Sequence, residues 1–299
     1  MLSYQHGFHA GNAADVVKHV VLVSALQALT AKPKPLCYLD THAGAGCYDL
    51  TSGQARKRRE YRDGIARVVS AGGAPPAIAE YLAAVTGALA WLDSAEPGTP
   101  SPAAQSSARG LSITKYPGSP LLAAHCLRRD DRLVAADLSR DELGRLQGVL
   151  GGRRHTSIAR IDGYHALKAH LPPTERRGLV LIDPPYDRRD EFRQLVRALR
   201  FAWQRWPTGV YLAWYPIQAR AVVDTLHRGV ITGGLSPALA GEVVWDPSPP
   251  TGRMQGCGML VLNPPWQLET RLEPAFAWLC ERLAQRAEAS YRVHWLAPR

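Results

Sequence analysis

The chain has 299 residues, enough for one large α/β domain with an elaboration or for two modest domains. Hydrophobic residues make up 46% of it, which supports a buried core, and the lack of eighteen uninterrupted apolar residues argues against a membrane-spanning helix. The formal net charge of +10 points to an acidic partner, with nucleic acid the leading candidate, while five scattered cysteines without a Cys-x-x-Cys pair argue against structural zinc and disulfides.

Met1-Leu2-Ser3-Tyr4-Gln5-His6 lacks a basic segment, an apolar stretch and a small-residue cleavage site, so a cytoplasmic enzyme is expected. Gly11-Asn12 ahead of Ala13 to Leu29 predicts an asparagine-capped helix, with Asp15 in its first turn and Lys18 and His19 in its second. The usual fate of a helical lysine is a solvated charge. His6 and His9, with no carboxylate cluster beside them, read as solvent-facing or substrate-facing and not as metal ligands.

Leu36 to Asp40 is the first of seven short apolar runs that predict strands. The others are Arg132 to Asp137, Ser157 to Asp162, Gly178 to Asp183, Gly209 to Tyr215, Glu242 to Asp246 and Gly258 to Asn263. Helical patterns alternate with them, as in Pro120 to Leu127, Ser139 to Leu150 and Glu191 to Trp203, which predicts a seven-stranded, doubly wound α/β sheet. Asp40, Asp137, Asp162 and Asp183 end four of the strands, so carboxylates gather along the sheet edge where such folds bind ligands.

Residues 51–110 break the alternation with alanine-rich helical stretches and a Pro/Ser/Gly-rich tract from Glu96 to Ser107. They are expected to form a small helical insertion in a catalytic domain that spans 1–50 and 111–299. Tyr116-Pro117-Gly118-Ser119-Pro120 then reads as the re-entry point, with Ser119 as a helix cap. Arg56, Lys57, Arg58, Arg59, Arg62 and Arg67 form one basic cluster. Arg176, Arg177, Arg188 and Arg189 flank the end of the fourth predicted strand, where a phosphate backbone is expected to pass.

Asp40-Thr41-His42-Ala43-Gly44-Ala45-Gly46 differs from the dinucleotide fingerprint Gly-x-Gly-x-x-Gly, whose glycines admit a pyrophosphate. An Asp-x-x-x-Gly-x-Gly loop suits S-adenosylmethionine, which has no phosphate and needs close backbone approach and acceptors for its ammonium; Asp40 and Gly44 are therefore candidate cofactor residues. Asp137 stands where Rossmann-type folds place an acid on the ribose hydroxyls. Asp162-Gly163 could hold the cofactor's adenine, although a strand-end Asp-Gly is also an ordinary turn.

Asp183-Pro184-Pro185-Tyr186 is the most informative tetrapeptide in the chain. A carboxylate and a carbonyl can accept hydrogen bonds from an exocyclic NH2, neither proline has an N–H to compete, and the tyrosine ring can stack on a flat base. The plain alternative is a strand-ending turn; the glycine-rich acidic motif upstream decides for methylation of a base amine. Asn263-Pro264-Pro265-Trp266 is a rival of the same style, and is read as structural because it ends the seventh strand, away from the cofactor strands.

The leader Leu2 to His19, Tyr38 to Gly46, Tyr116 to Pro120, Leu181 to Tyr186, Trp214-Tyr215-Pro216 and Asn263 to Trp266 together resemble the RlmJ-type 23S rRNA adenine-N6 methyltransferases. The resemblance spans nearly the whole chain outside the insertion. It implies a Rossmann-like, class I methyltransferase fold that uses S-adenosylmethionine, with 23S rRNA as partner, no metal, and a monomer. The implied product is N6 methylation of a single adenine, adenine 2030, in naked or precursor rRNA. It also implies that His19, His42, Ser119, Asp137, Asp162 and Gly163, with Lys18, line the cofactor site. Asp183 would be catalytic, and Tyr4, His6, Pro184 and Tyr186 would face the RNA. The chain departs from the family pattern in having Asp137 where a glutamate is usual, and in a longer insertion; the shorter arm must sit closer to the ribose or bridge through water.

A DNA adenine methyltransferase shares this chemistry, but would need a recognition domain to read base edges, and the insertion has no Lys or Arg between Gly72 and Ala108. A protein glutamine methyltransferase fits the charge and the leading aspartate poorly. A non-catalytic RNA-binding module explains the basicity but not the acidic strand ends.

Overall fold

The computed structural model describes residues 5–93, 113–248 and 253–298. Among the described residues, strands β1 (Cys37–Asp40), β2 (Cys47–Asp49), β3 (Lys115–Pro117), β4 (Arg132–Asp137), β5 (Thr156–Arg160), β6 (Gly178–Ile182), β7 (Val210–Ile217), β8 (Ala238–Val244), β9 (Gly256–Leu262) and β10 (Ser290–Ala297) are interspersed with ten α-helices. The helices are α1 (Ala13–Thr30), α2 (Gly53–Arg58), α3 (Ile65–Ser70), α4 (Pro76–Asp93), α5 (Ser119–Cys126), α6 (Arg140–Leu150), α7 (Gly163–His170), α8 (Glu191–Arg205), α9 (Arg220–Thr232) and α10 (Leu268–Leu283).

Eight strands make one sheet in the order β10-β8-β9-β7-β6-β1-β4-β5. β5, β4, β1, β6 and β7 run parallel, whereas β9 is antiparallel to both β7 and β8. The chain leaves β1 toward β4 and β5, then returns to β6 on the other side, so the order reverses between β1 and β6 and opens a crevice at their carboxyl ends. Alternate residues feed opposite faces: Leu179 and Leu181 join the core under α1, α4, α5 and α10, and Val180 and Ile182 join the one under α7, α8 and α9. α8 buries Leu195, Leu199 and Ala202, a 4-then-3 spacing that lays one apolar stripe on the sheet.

Helix α1 starts as its sequence dictates, with Asn12 Oδ1 accepting from the Asp15 N–H at 2.9 Å. It is long and apolar enough to cross a membrane by length and composition alone, but it is buried from Ala13 to Leu26 inside the protein. A helix surrounded by core needs no polar face, yet Asp15, Lys18 and His19 are buried in it.

All seven expected strands are present, and β10 adds an eighth at the edge. Its residues alternate polar and apolar, with Tyr291, Val293 and Trp295 packed on the core. β8 begins four residues earlier than its sequence suggests, and Gly241 lets Phe276 pack close to it; a Cβ there would meet that ring at 2.9 Å. The described part of the expected insertion is helical and is closed at its neck by the β2–β3 ribbon, which pairs Tyr48 with Tyr116. α4 shares the core of α1, α5 and α10. The tract from Glu96 to Ser107 lies outside the described residues.

Glu242 ties the antiparallel edge together. Its buried carboxylate accepts from Arg220 of α9 at 2.6 Å, from Arg292 of β10 at 2.7 Å and from the Tyr215 hydroxyl at 2.9 Å. Burial alone would raise its pKa, but the two guanidiniums hold it down at about 2. A carboxylate depressed in the folded state stabilises above its unfolded pKa and loses that contribution as pH falls toward 2. Glu242→Ala is expected to cost about 3–5 kcal/mol in urea unfolding at pH 7. The gap from the wild type should shrink as the titration is repeated below pH 4; a gap unchanged at pH 2.5 would contradict the assignment.

Candidate active site

A cavity of about 620 Å³ fills the crevice at the carboxyl ends of β1, β4, β5 and β6 and is covered on one side by the leader through His6, His9 and Asn12. That volume suits a nucleoside-sized ligand. Of the expected site residues, His6, Lys18, His19, His42, Gly44, Ser119, Asp137, Asp162, Gly163, Asp183, Pro184 and Tyr186 line it. Tyr4 lies outside the described residues.

Asp40 is not among the lining residues. It is fully buried beneath the glycine-rich loop, where its carboxylate accepts from the Tyr38 hydroxyl at 2.7 Å and from the His42 N–H at 3.3 Å. Burial pushes it up to about 6 against the hydrogen bonds of Ser119 and Tyr38. It shapes the loop from behind, through its bond to the His42 N–H. Ser119 differs from its sequence reading too: Gly118 precedes the first turn of α5 without a side-chain cap, and the Ser119 hydroxyl bonds to Asp40 instead.

The loop after β1 needs its glycines. Gly44 and Gly46 have φ of 59° and 77°, and a Cβ on Gly44 would stand 2.2 Å from the Tyr48 hydroxyl. The Gly44 N–H donates to Asp137 Oδ2 at 2.9 Å, and the Ser139 N–H donates to Asp137 Oδ1 at 2.8 Å, so the short aspartate folds onto the loop it faces. Across the cavity, Asp162 Oδ1 caps α7 by accepting from the N–H groups of Tyr164 and His165 at 3.1 and 3.0 Å. A Cβ on Gly163 would lie 2.5 Å from both the His42 ring and the Thr41 carbonyl, so only glycine permits that approach.

The floor is a chain of charges, buried at Asp15 and Lys18 and half-buried at His6 and Asp183. Lys18 Nζ donates to Asp183 Oδ2 at 2.6 Å and pairs with Asp15 Oδ1 at 2.8 Å; Asp15 Oδ2 in turn accepts from His6 Nε2 and the Gly11 N–H, each at 2.9 Å. Burial works against the ammonium, yet Asp15 and Asp183 together hold its pKa well above the usual lysine value. Burial likewise opposes the Asp15 carboxylate, and His6 and Lys18 hold it well below its usual value. Lys18 is therefore an interior counter-ion, not a solvated charge. Beside it, burial and then Lys18 keep His19 well below the ordinary histidine range, hence neutral. Its Nδ1 lies 2.8 Å from the Tyr116 hydroxyl, and its buried Nε2 has no hydrogen-bond partner among the described residues.

Tyr186 adopts a left-handed φ of 54°, a conformation that costs a tyrosine energy and that clusters at functional sites. Its hydroxyl donates to the Trp214 carbonyl at 2.7 Å, and its ring leans on Phe192 and Trp214 at centroid distances of 4.9 and 5.6 Å. The ring is thus a fixed wall.

Two sequence expectations separate here. Arg188 lines the cavity, but Arg176 and Arg177 precede β6 and so lie at the opposite sheet edge, where Arg177 Nη1 donates to the Lys34 carbonyl at 2.6 Å. Residues that flank a motif in sequence stand a strand's length apart when that strand lies between them. The rival Asn263-Pro264-Pro265-Trp266 also lies at that opposite edge, because β9 runs antiparallel to β7. Asn263 Nδ2 donates to the carbonyls of Pro207 and Gly209 at 2.6 and 2.8 Å, in a structural role.

A profile of the family described as "Ribosomal RNA large subunit methyltransferase D, RlmJ" matches residues 33–105 and 103–297. Over 298 residues, covering 100% of both chains, the protein is 36% identical to a Haemophilus influenzae protein named "Ribosomal RNA large subunit methyltransferase J". It is 35% identical, with the same coverage, to a protein of that name from Escherichia coli K12. The chain belongs to the RlmJ family. A crystal structure of a Legionella pneumophila protein superposes with a TM-score of 0.82 at 31% identity, covering 96% of this chain and 98% of that one. The RlmJ chain has the Rossmann-like α/β fold of class I methyltransferases, its sheet extended by β10.

Asp15 and Trp214, which sequence reading left outside the candidate site, also line this cavity. Asp15 precedes Lys18 by three residues on one helix face, a spacing that permits the pair but does not bury it. Lys18→Met would leave Asp15 and Asp183 without their shared cation. It is expected to lower the free energy of unfolding in urea at pH 7 by about 3–5 kcal/mol. A loss below about 1 kcal/mol, the size of an exposed pair, would mean that water and not Lys18 balances these carboxylates.

Proposed function

We propose that this protein methylates the N6 amino group of a single adenine in 23S rRNA, using S-adenosylmethionine, and acts on RNA before ribosome assembly. The resemblance to the family points to adenine 2030 as the base. The observation that carries the reading is Asp183 held at the crevice by Lys18 at 2.6 Å, with Pro184, Pro185 and Tyr186 beside it and the glycine cradle opposite.

The cradle fits the cofactor. Gly44 and Gly163 leave backbone approaches that a Cβ would close, Asp137 and Asp162 bring acceptors to the cavity wall, and the neutral His19 presents an unpartnered ring nitrogen there. Asp137 would hold the ribose, Asp162 and Gly163 the adenine, and the loop from His42 to Gly44 with Lys18, His19 and Ser119 the amino-acid end. When bound, the cofactor supplies a methyl group activated by its sulfonium.

The chain's own work is alignment. An adenine amine is a poor nucleophile because its lone pair is delocalised into the ring. With Asp183 Oδ2 taken by Lys18, Oδ1 can accept from one N6–H and the Pro184 carbonyl from the other. These bonds favour a pyramidal nitrogen whose lone pair faces the cofactor, and place negative charge where positive charge develops. Asp183 need not remove a proton first, since the methylated ammonium loses one readily. The base must leave its stack to arrive, and the Tyr186 wall replaces part of the lost stacking.

Incubation with labelled S-adenosylmethionine should transfer label to a 23S rRNA transcript, and digestion with mass spectrometry should place one methyl on one adenine N6. Asp183→Ala is expected to cut turnover at least 100-fold while cofactor affinity stays within about threefold. Transfer to duplex DNA but not RNA would replace this reading with a DNA adenine methyltransferase, and near-normal turnover by the variant would remove Asp183 from its role.

A further inference from the structure

The first turns of the insertion carry an exposed row of cations, Arg56, Lys57, Arg58 and Arg59, with Arg62 one turn on. Among the described residues only Arg58 of this row has a carboxylate within ion-pair distance, Glu60 at 3.6 Å. An unneutralised row is costly to gather unless something anionic meets it. The backbone turns to make the row a ridge: Arg59 ends α2 in a left-handed conformation with φ 56°, and its Nε donates to the Arg56 carbonyl at 3.2 Å.

The ridge is fastened to the leader that covers the cavity. Gln54 Nε2 donates to Gln5 Oε1 at 2.9 Å, Lys57 and Arg58 each stand 6.0 Å from the Phe8 ring centre, and Arg58 Nη1 is 3.5 Å from His9 Nε2. His9, a lining residue, also meets Glu60 Oε2 through Nδ1 at 2.9 Å, and Asn12 Nδ2 donates to the same oxygen at 3.0 Å. A strand of nucleic acid whose base enters the cavity past His6 and His9 would therefore run its phosphates over this ridge.

We infer that the ridge of Arg56, Lys57, Arg59 and Arg62 is the phosphate-binding surface for the RNA flanking the target base, carried by the insertion and set in place by the leader. The inference rests on the RNA reading proposed above. It assigns the basic half of the insertion to substrate binding, while the half between Gly72 and Ala108 has no Lys or Arg. Contacts to phosphates add affinity without reading sequence, so they show in the salt dependence of binding.

The test compares two full-length variants with the same change in net charge. One reverses the ridge (R56E, K57E, R59E, R62E). The other reverses four exposed cations at the opposite sheet edge, ahead of β1, β4 and β5 (K32E, K34E, R129E, R154E). Binding to a fluorescent, unmodified 23S rRNA transcript is measured by anisotropy from low to high salt. The ridge variant should bind at least tenfold more weakly near 150 mM salt, and its log–log salt slope should fall by about 3, close to 0.7 for each lost contact. Its affinity for S-adenosylmethionine should be unchanged, its KM for RNA should rise, and its kcat should hold within about threefold. The opposite-edge variant should stay within about threefold of the wild type in RNA affinity.

Equal losses in both variants would reduce the effect to net charge and overturn the inference, as would an unchanged slope in the ridge variant. If that variant no longer binds S-adenosylmethionine, the milder pair R59S and R62S is read instead, with a slope change of about 1.4 expected and none overturning. Because the readout is binding, a wild type that grips RNA through the ridge but transfers no methyl would sink the proposed function and leave the ridge standing.

Discussion

One ammonium group organises this molecule. Lys18 is buried on a helix surrounded by core, and its two carboxylate partners come from different places: Asp15 from its own helix, Asp183 from the tip of β6. Lys18 and Asp15 are buried and Asp183 is half-buried, and removal of the lysine leaves both carboxylates without their cation in a poor solvent. The pairing therefore fixes the rotation of α1 against the sheet. It also aims one oxygen of Asp183 at the lysine and leaves the other directed at the crevice.

The same chain of contacts reaches the surface. Asp15 takes His6 and the Gly11 N–H as partners, so the leader is held against the cavity by the residue that steadies Lys18. The insertion grips the leader from outside. Ile65 N–H donates to the Gly11 carbonyl at 2.9 Å, and Gly64 lies so near that a Cβ would meet that carbonyl oxygen at 2.2 Å. Leader, insertion and strand tip thus form a continuous network of packed and hydrogen-bonded groups, and a displacement of one must be absorbed by the others.

Much of this was legible from residues alone, because local rules govern it. Asn12 caps its helix as its type requires, the apolar runs became strands, and the acids at their ends met at one edge because parallel strands end together. What sequence concealed was direction. Asn263-Pro264-Pro265-Trp266 stands at a strand end, but nothing in the segment says which end of the sheet that is; antiparallel pairing with β7 decides it. The edge strand β10 left a period-two signal, whereas the three-residue β2 and β3 left none long enough to notice. Lys18 was expected at the cofactor site, but its burial as a counter-ion was not legible, since its partner Asp183 is 165 residues away.

Gly64 and Gly11 touch backbone to backbone, and that closeness bears on how such a catalyst could be transplanted. A designer who copied only the Asp-Pro-Pro-Tyr loop into another Rossmann-like scaffold would import a carboxylate with no lysine to meet it. One who added the leader and its helix would still lack the clasp that seats them. The smallest portable unit of this chemistry is a discontinuous set of segments reaching from the leader to the end of β6, joined by contacts between glycines that admit no side chain.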